Sequence, residues 1–447
     1  MQLPPGPRAP SIVQTVQFLG RPTEFLTRCR ARFGPIFTIR LAGMPAMVCV
    51  GDAEGIAAIY RAPRGRFSVG SEDNALLPIV GRDSLLVLDG ERHHRARKLL
   101  TPPFTGERMR AYGDIIAAAT RRAAAHWRAG AEVVAHDATQ TLTQEVILRA
   151  VFGIADDRLD AAMTVVREAV RTFASPVVLF EGLRRRLGLG SSPTLRRQRA
   201  ALDRVSDSEI ARHRGGEATD GEDILSRMLQ ARDESGAAMT DAELRDELCT
   251  TLFAGQKSTA IALSWALHWV LRTPGVLASV RAELDAAGDI GADASSRLPY
   301  LSAVCDETLR VLPVFPVVAW ILDEPMEILG VPLAPGTRVA PGIYLVHRDA
   351  RAYPEPEVFR PERFLQARRP GPFEYIPFGG GPRRCLGAAF ALYEMKIALA
   401  TLLRSFELEL VDPRTRIALQ GLMLAPADGV RLRVRATRGS PQSSPVL

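Results

Sequence analysis

The chain has 447 residues, of which 47% are hydrophobic and 24% charged, the balance of a globular protein that buries a sizeable core. Length alone permits one large domain or two to three average ones. The net charge of +7 could serve nucleic acid, a membrane surface or an acidic protein partner. The absence of a basic run interleaved with aromatics argues against nucleic acid, and no apolar run is long enough to span a bilayer.

In chain order, the start Met1-Gln2-Leu3-Pro4-Pro5-Gly6-Pro7 has no charged residue followed by an apolar run, so no signal peptide is expected. The five cysteines, Cys29, Cys49, Cys249, Cys305 and Cys385, are scattered with no CxxC pair, which reads as reduced thiols in a cytoplasm. Residues 21–33 have helical spacing through Phe25, Leu26, Cys29 and Phe33. Two β-rich runs, 36–41 and 46–50, flank a short turn and predict a hairpin. Residues 67–87 lack clear periodicity and hold the apolar patch Leu76 to Val80. In the basic run 89–100, His93 and Arg97 stand four apart and share a helix face. Two such donors suit a pair of carboxylates, and a solvated basic helix is the plainer reading. Arg92, Arg95 and Lys98 then point elsewhere and could form a basic docking face.

From about 107 to 240 the chain reads as mostly helical, with an apolar cluster at Phe173 and Val177–Phe180 followed by arginines at 184–186 and 196–197. Thr240 and Glu243 form a capping box that opens a helix running to Arg272, where Pro274-Gly275 stops it. Some thirty helical residues span about 45 Å. At its middle, Ala254-Gly255 removes bulk so that a flat ligand or dioxygen can lie against the backbone. Glu307 and Arg310, three apart, pair on one face of a later helix. The run 314–321 is extended and apolar, residues 326–347 alternate like a small antiparallel sheet, and the Ser/Pro-rich tail from Gly439 is expected to fray.

The most informative stretch is Phe378-Gly379-Gly380-Gly381-Pro382-Arg383-Arg384-Cys385-Leu386-Gly387. It sets one cysteine on a glycine-rich loop, beside two arginines and a helix start whose unpaired N–H groups favour a thiolate. A lone cysteine near glycines is more often inert. Phe378, Gly379, Gly381, Arg383, Cys385 and Gly387, however, match the haem-binding signature of the cytochrome P450 family. Six fixed positions should arise by chance in about one chain of this length in a hundred thousand. The chain resembles that family from residue 4 to about 434, with its motifs in the family order.

The resemblance implies a single domain over 1–447, with 440–447 as a flexible tail, mainly α with small antiparallel β-sheets. It implies haem b with Cys385 as the metal ligand, Phe378 beneath the sulfur, and Gly387 completing the signature. His93, Arg97 and Arg383 would reach the propionates, and Ala254 and Gly255 would face the cofactor. Glu307, Arg310 and Arg363 would form a buried charge cluster that pins the cysteine loop. Leu76, Ile79, Leu252, Phe253, Val317, Val318, Leu422 and Met423 are the expected substrate pocket, and residues 173–197 would lie near a lid over it.

Two departures stand out. Lys257 and Ser258 occupy the places of the family's acid and threonine, so proton delivery would fall to Ser258 with Thr259 as deputy, Lys257 pointing to solvent or a carboxylate. Ala319, Trp320 and Ile321 stand where many relatives carry a propionate arginine. The expected activity is a bacterial monooxygenase, monomeric and without a membrane anchor. It would insert one oxygen atom from dioxygen into a terpenoid or steroid-like substrate, with a fatty acid as runner-up. Electrons would come from NAD(P)H through a ferredoxin and its reductase. The alternatives are a haem-thiolate isomerase, dehydratase or peroxide-driven enzyme needing no redox partner, and a non-catalytic haem sensor.

Overall fold

The 32-residue helix Asp241–Arg272 organises the molecule. In this computed structural model, residues 3–438 are described except 71–73, 75, 105, 174–183, 185–189, 217–222, 289 and 368. The helix starts where the capping box predicts. Glu243 N–H donates to Thr240 Oγ1 at 3.2 Å, and Thr240 N–H donates to the Glu243 carboxylate at 2.7 Å. It ends before Pro274, which opens the next helix, Pro274–Ala287. Helices Ala135–Ala150, Ala388–Ser405, Pro299–Val311 and Pro193–Arg214 pack around it. Leu248, Ile261, Trp265 and Leu267 on the central helix join Val146, Leu148, Leu399 and Leu403 in one continuous core.

The β-structure is peripheral. The predicted hairpin forms, Ile36–Ile39 against Met47–Val50, and extends into a five-stranded sheet. Within that sheet Met47–Val50 runs parallel to Arg338–Pro341, which pairs antiparallel with Trp320–Leu322, and that strand with Phe67–Ser68. Val48, Val50, Leu322 and Val339 are fully buried in a second, smaller core beneath it. A three-stranded sheet joins Glu132–Val134, Arg431–Thr437 and Phe406–Leu410. The remaining ladders are the hairpins Met326–Ile328/Val331–Leu333 and Ile417–Gln420/Met423–Pro426.

The expected small sheet at 326–347 divides: its hairpin stands alone, Arg338–Pro341 joins the large sheet, and Ile343–Val346 is a helical turn. Strand Glu132–Val134 interrupts the region read as helical because its partner lies about 300 residues onward, beyond any local periodicity. The Pro4-Pro5-Gly6 stretch is a fixed strap. Thr38 donates its N–H to Pro5 O at 3.0 Å and its hydroxyl to Pro4 O at 2.7 Å. A Cβ on Gly6 would fall 1.9 Å from Thr38 O, so only glycine fits there. Val177–Phe180, Arg185, Arg186 and the tail from Gly439 lie outside the described residues. Among the described residues no helix is long and apolar enough to cross a membrane.

Candidate active site

The cysteine loop leaves the five-stranded side of the molecule and enters the helix Ala388–Ser405. Gly379 and Gly381 take φ of +68° and +61°, which side chains with a Cβ rarely adopt. Gly380 and Gly381 press against Tyr60 rather than a ligand: a Cβ would sit 2.4 Å from the Tyr60 ring and 2.8 Å from Tyr60 O. The glycines therefore seat the loop on helix Ala53–Arg61, and open space for a flat ligand lies at Gly387, whose Cβ would meet nothing within 4 Å. Nothing in the sequence around Tyr60 marks this role.

Cys385 N–H donates to Phe378 O at 2.9 Å, closing the loop. Cys29, Cys49, Cys249 and Cys305 are buried, and Cys385 alone offers its thiol to a neighbour of atomic size. The expectation of a spontaneous thiolate is corrected. Although the residue is exposed, the protein crowded around its sulfur pushes the thiol up, and the Gly387 N–H, Arg97 and Arg384 offset this only in part. A metal ion bound at sulfur supplies the missing charge and deprotonates the thiol outright.

His93 and Arg97 do share a face of helix Gly90–Leu100, and both lie close to this loop, His93 within the influence of Arg383 and Arg97 within that of the Cys385 sulfur. Arg97 is half-buried, with no carboxylate partner among the described residues, and burial lowers its pKa while the Cys385 sulfur raises it. A half-buried guanidinium in that state calls for an anion. His93 is held at about 4, first by burial and then by Arg383, Arg97 and His94, so it is neutral at pH 7 and can donate one hydrogen bond. Arg383 departs from its expected role. It donates to Leu88 O at 2.7 Å and pairs with Asp89, whose carboxylate also accepts from Val69 N–H at 3.0 Å. Asp89 immediately precedes the basic helix, and its proximity to His93 in the sequence was the available signal.

On the central helix, Ala254 and Ser258 share one face, Ala254 exposed and Ser258 donating to Ala254 O at 2.6 Å. Gly255 lies on another face, where an added Cβ would stand 3.0 Å from Ile147 Cδ1, so its small size serves helix packing and not the cofactor. Thr259 is buried. Among the described residues, Lys257 does not meet the expected carboxylate. It is half-buried, has no ion-pair partner among the described residues, and burial lowers its pKa. Its charge instead bears on the buried His136, whose Nδ1 lies 3.2 Å from Ser264 Oγ.

The predicted pocket residues separate. Leu76, Phe253, Val317 and Met423 are partly buried against the core. Ile79 and Leu252 are sealed within the core and have no surface to offer, which corrects their assignment. Val318 and Leu422 are exposed. Strand Met423–Pro426 is tied to this region, since Leu424 N–H donates to Val314 O and Trp265 Nε1 to Leu424 O, both at 2.8 Å.

Glu307, Arg310 and Arg363 meet. Arg310 donates to Glu307 from Nε at 2.6 Å and Nη2 at 2.8 Å, and Arg363 Nε donates at 3.1 Å. Arg310 also donates to His347 O at 2.9 Å, and His347 Nε2 accepts from Ile376 N–H at 2.9 Å. Ile376 O accepts from Gly379 N–H, so a chain of hydrogen bonds joins the charge cluster to the cysteine loop. The basic docking face does not form as expected. Arg95 pairs with Asp233 and Glu243 at 2.6 Å each, Lys98 with Glu234, and Arg92 with Asp83, so all three cations of that set are engaged. Acids more than 130 residues away in sequence engage Arg95 and Lys98, and a nearby one engages Arg92.

A buried charge cluster braces a glycine loop that offers one thiol, and a basic helix lies close enough for Arg97 to act on that thiol: this is the framework of a haem-thiolate protein. The Cytochrome P450 family profile matches residues 4–431. Cytochrome P450 135B1 of Mycobacterium tuberculosis is 37% identical over 98% of this chain and 92% of its own length. Cytochrome P450 137 of the same species is 33% identical over 97% and 92%. Among solved structures, retinoic acid-bound cyanobacterial CYP120A1 superposes with a TM-score of 0.82 at 26% identity, covering 97% of this chain and 99% of that one. The haem domain of cytochrome P450DA gives 0.83 at 25% identity, covering 98% and 97%. The chain belongs to the cytochrome P450 family, and is a haem-thiolate monooxygenase by that membership. The unpaired Arg97 and the accessible thiol of Cys385 fit the anionic edge and the iron of the family's haem.

Proposed function

We propose that this enzyme oxidises an apolar terpenoid or steroid-like substrate, with a fatty acid as runner-up. Electrons come from NAD(P)H through a ferredoxin and its reductase. The observation that carries the substrate reading is that four of the expected pocket residues, Leu76, Phe253, Val317 and Met423, are partly buried and apolar. The retinoic acid bound to the cyanobacterial neighbour, an isoprenoid, supports the same class.

Haem held by a thiolate supplies the activation of dioxygen. The chain's own groups bind and orient. Cys385 Sγ, which receives the Gly387 N–H, would hold the iron. Arg97 would hold one propionate and neutral His93 would donate to it, while Arg383, engaged by Asp89, fixes the loop. Ser258 Oγ, within reach of Ala254 O, positions a water and passes protons from it; Thr259, buried behind, supports the helix.

A second reading has a specific motive. Lys257 stands in place of an acid with no carboxylate beside it, which favours an isomerase, dehydratase or peroxide-driven reaction without electron supply. The test is an absorption titration of the haem-loaded protein with terpenoids, steroids and fatty acids, followed by turnover with and without ferredoxin and reductase. Product that requires the redox partners supports the monooxygenase reading. Equal turnover without them overturns it in favour of the second.

A further inference from the structure

Helix Ser11–Gly20 is turned inside out. Its buried residues are Gln14 and Phe18. The Gln14 side chain donates to Pro7 O at 3.1 Å and Ala9 O at 2.8 Å and accepts from Arg40 N–H at 2.9 Å. Outside lie Ile12, Val13, Val16 and Leu19, which are 68%, 42%, 66% and 50% exposed. At about 100° per residue these four form one continuous stripe, and no charged side chain interrupts it. The helix is not a loose end, because Thr15 Oγ1 also accepts Ala42 N–H at 2.8 Å. That bond brings up the turn bearing Met44, which is 48% exposed. Five of the nine strongly exposed large hydrophobic residues among the described residues therefore gather in one helix and its neighbouring turn.

The charge around this stripe has one sign. Up to Gly51 the sequence holds six arginines and a single acid, Glu24. Arg21 pairs with Glu24 and Arg30 with Asp349. Arg8, Arg28, Arg32 and Arg40 are exposed and have no carboxylate partner among the described residues. Arg8 leads into the helix, and Arg40 follows the strand whose end is bonded to it.

We propose that this face seats on the surface of an anionic lipid bilayer, with Ile12, Val16 and Leu19 among the acyl chains and Arg8 and Arg40 against the phosphates. A ten-residue helix lying flat is about 15 Å long and needs to sink only about 5–10 Å to bury such a stripe. Stable membrane attachment takes two weak signals, and here an aliphatic stripe adjoins a basic rim. A second protein fits less well. The stripe exposes on the order of a few hundred Å², less than the roughly 800 Å² that each partner of a stable complex buries. The uncompensated arginines would also repel another copy of the same face.

The test is co-sedimentation of the full, haem-loaded chain with vesicles of phosphatidylcholine alone or mixed three to one with phosphatidylglycerol. The wild-type chain should partition at least tenfold more strongly onto the anionic vesicles, and added salt should weaken that preference. Ile12→Glu with Val16→Glu should abolish binding, Ile12→Leu with Val16→Ile should retain it, and Arg8→Gln with Arg40→Gln should lower it severalfold. Both residues of the stripe are exposed, and an unchanged carbon monoxide difference spectrum confirms that each variant folds. Failure of the wild-type chain to bind, or binding unaffected by the glutamates, overturns the proposal. So does a dimer in light scattering that the glutamates dissociate, since the face would then belong to a second copy.

Discussion

Replacing Glu307 by glutamine should destabilise the protein by about 3–5 kcal/mol, because it leaves buried guanidinium groups without their counter-charge. The carboxylate is fully buried and accepts from Arg310 Nε and Nη2, Arg363 Nε and Arg360 N–H, at 2.6, 2.8, 3.1 and 2.8 Å. An amide keeps one acceptor oxygen and turns its NH₂ group towards donors. At least two charged hydrogen bonds, worth about 1.5–3 kcal/mol each, are then lost. The loss is a large part of the roughly 5–15 kcal/mol that holds a typical domain together. The assay is urea unfolding of the haem-loaded enzyme, with Arg431→Gln as control. The Arg431–Glu132 pair, 2.7 Å long and exposed, should contribute little and fade at high salt. A Glu307→Gln loss below about 1 kcal/mol, or one that shrinks in 1 M salt, would refute the reasoning.

Arg97→Leu should speed haem transfer to an acceptor protein about tenfold more than His93→Gln, since a charge-assisted bond exceeds a neutral one by roughly 1.4 kcal/mol; equal rates would count against the propionate assignments. Burial pushes Glu247 up from its ordinary 4.5 to about 8, with Leu85 N–H opposing and Asp246, Glu243 and Asp83 adding. Its neutral form is favoured by folding, so its contribution is full below pH 4.5 and is lost as pH rises to about 8, by up to about 1.4 kcal/mol per unit. Glu247→Gln should flatten that part of the stability–pH curve; an unchanged slope shows the carboxyl is already ionised in the fold. Ser258→Ala should raise peroxide release per NAD(P)H, and Lys257→Ala, on a different helix face, should do so less. Intact coupling in Ser258→Ala, together with product oxygen that does not derive from labelled dioxygen, would remove the monooxygenase reading.

What the sequence made legible were local patterns. Thr240 and Glu243 announce the central helix because capping is a four-residue property, and the glycines around Cys385 announce the loop. The pairing of Glu307 with Arg310 is visible at a spacing of three. Side chains whose partners are distant in the chain were misread. Arg95 and Lys98 look like free cations until Asp233, Glu234 and Glu243 fold onto them. Arg383 looks free until Asp89 reaches it. Ile79 looks like pocket lining because apolar character does not reveal whether a residue faces a hollow or the core. Gly255 illustrates the same limit on a single helix: its smallness is evident, but the face it occupies depends on Ile147.

The two largest β-sheets also set a timetable for synthesis. Strand Met47–Val50 waits for Arg338–Pro341, and Glu132–Val134 waits for Arg431–Thr437. Each gap is close to 300 residues, or about 15–60 s on a ribosome adding 5–20 residues per second. During that interval the early strand Val48–Val50 and the end of the three-residue strand at Val134 have open edges, so the growing chain is a target for chaperones and for pairing with its own siblings. Helix Ala135–Ala150 begins at that strand, and its first N–H donates to Val430 O at 2.9 Å, a bond that waits for the C-terminal segment. The C-terminal segment thus acts as a release signal, and a ribosome stalled after residue 430 would display a protein complete in its cysteine loop yet still unlatched.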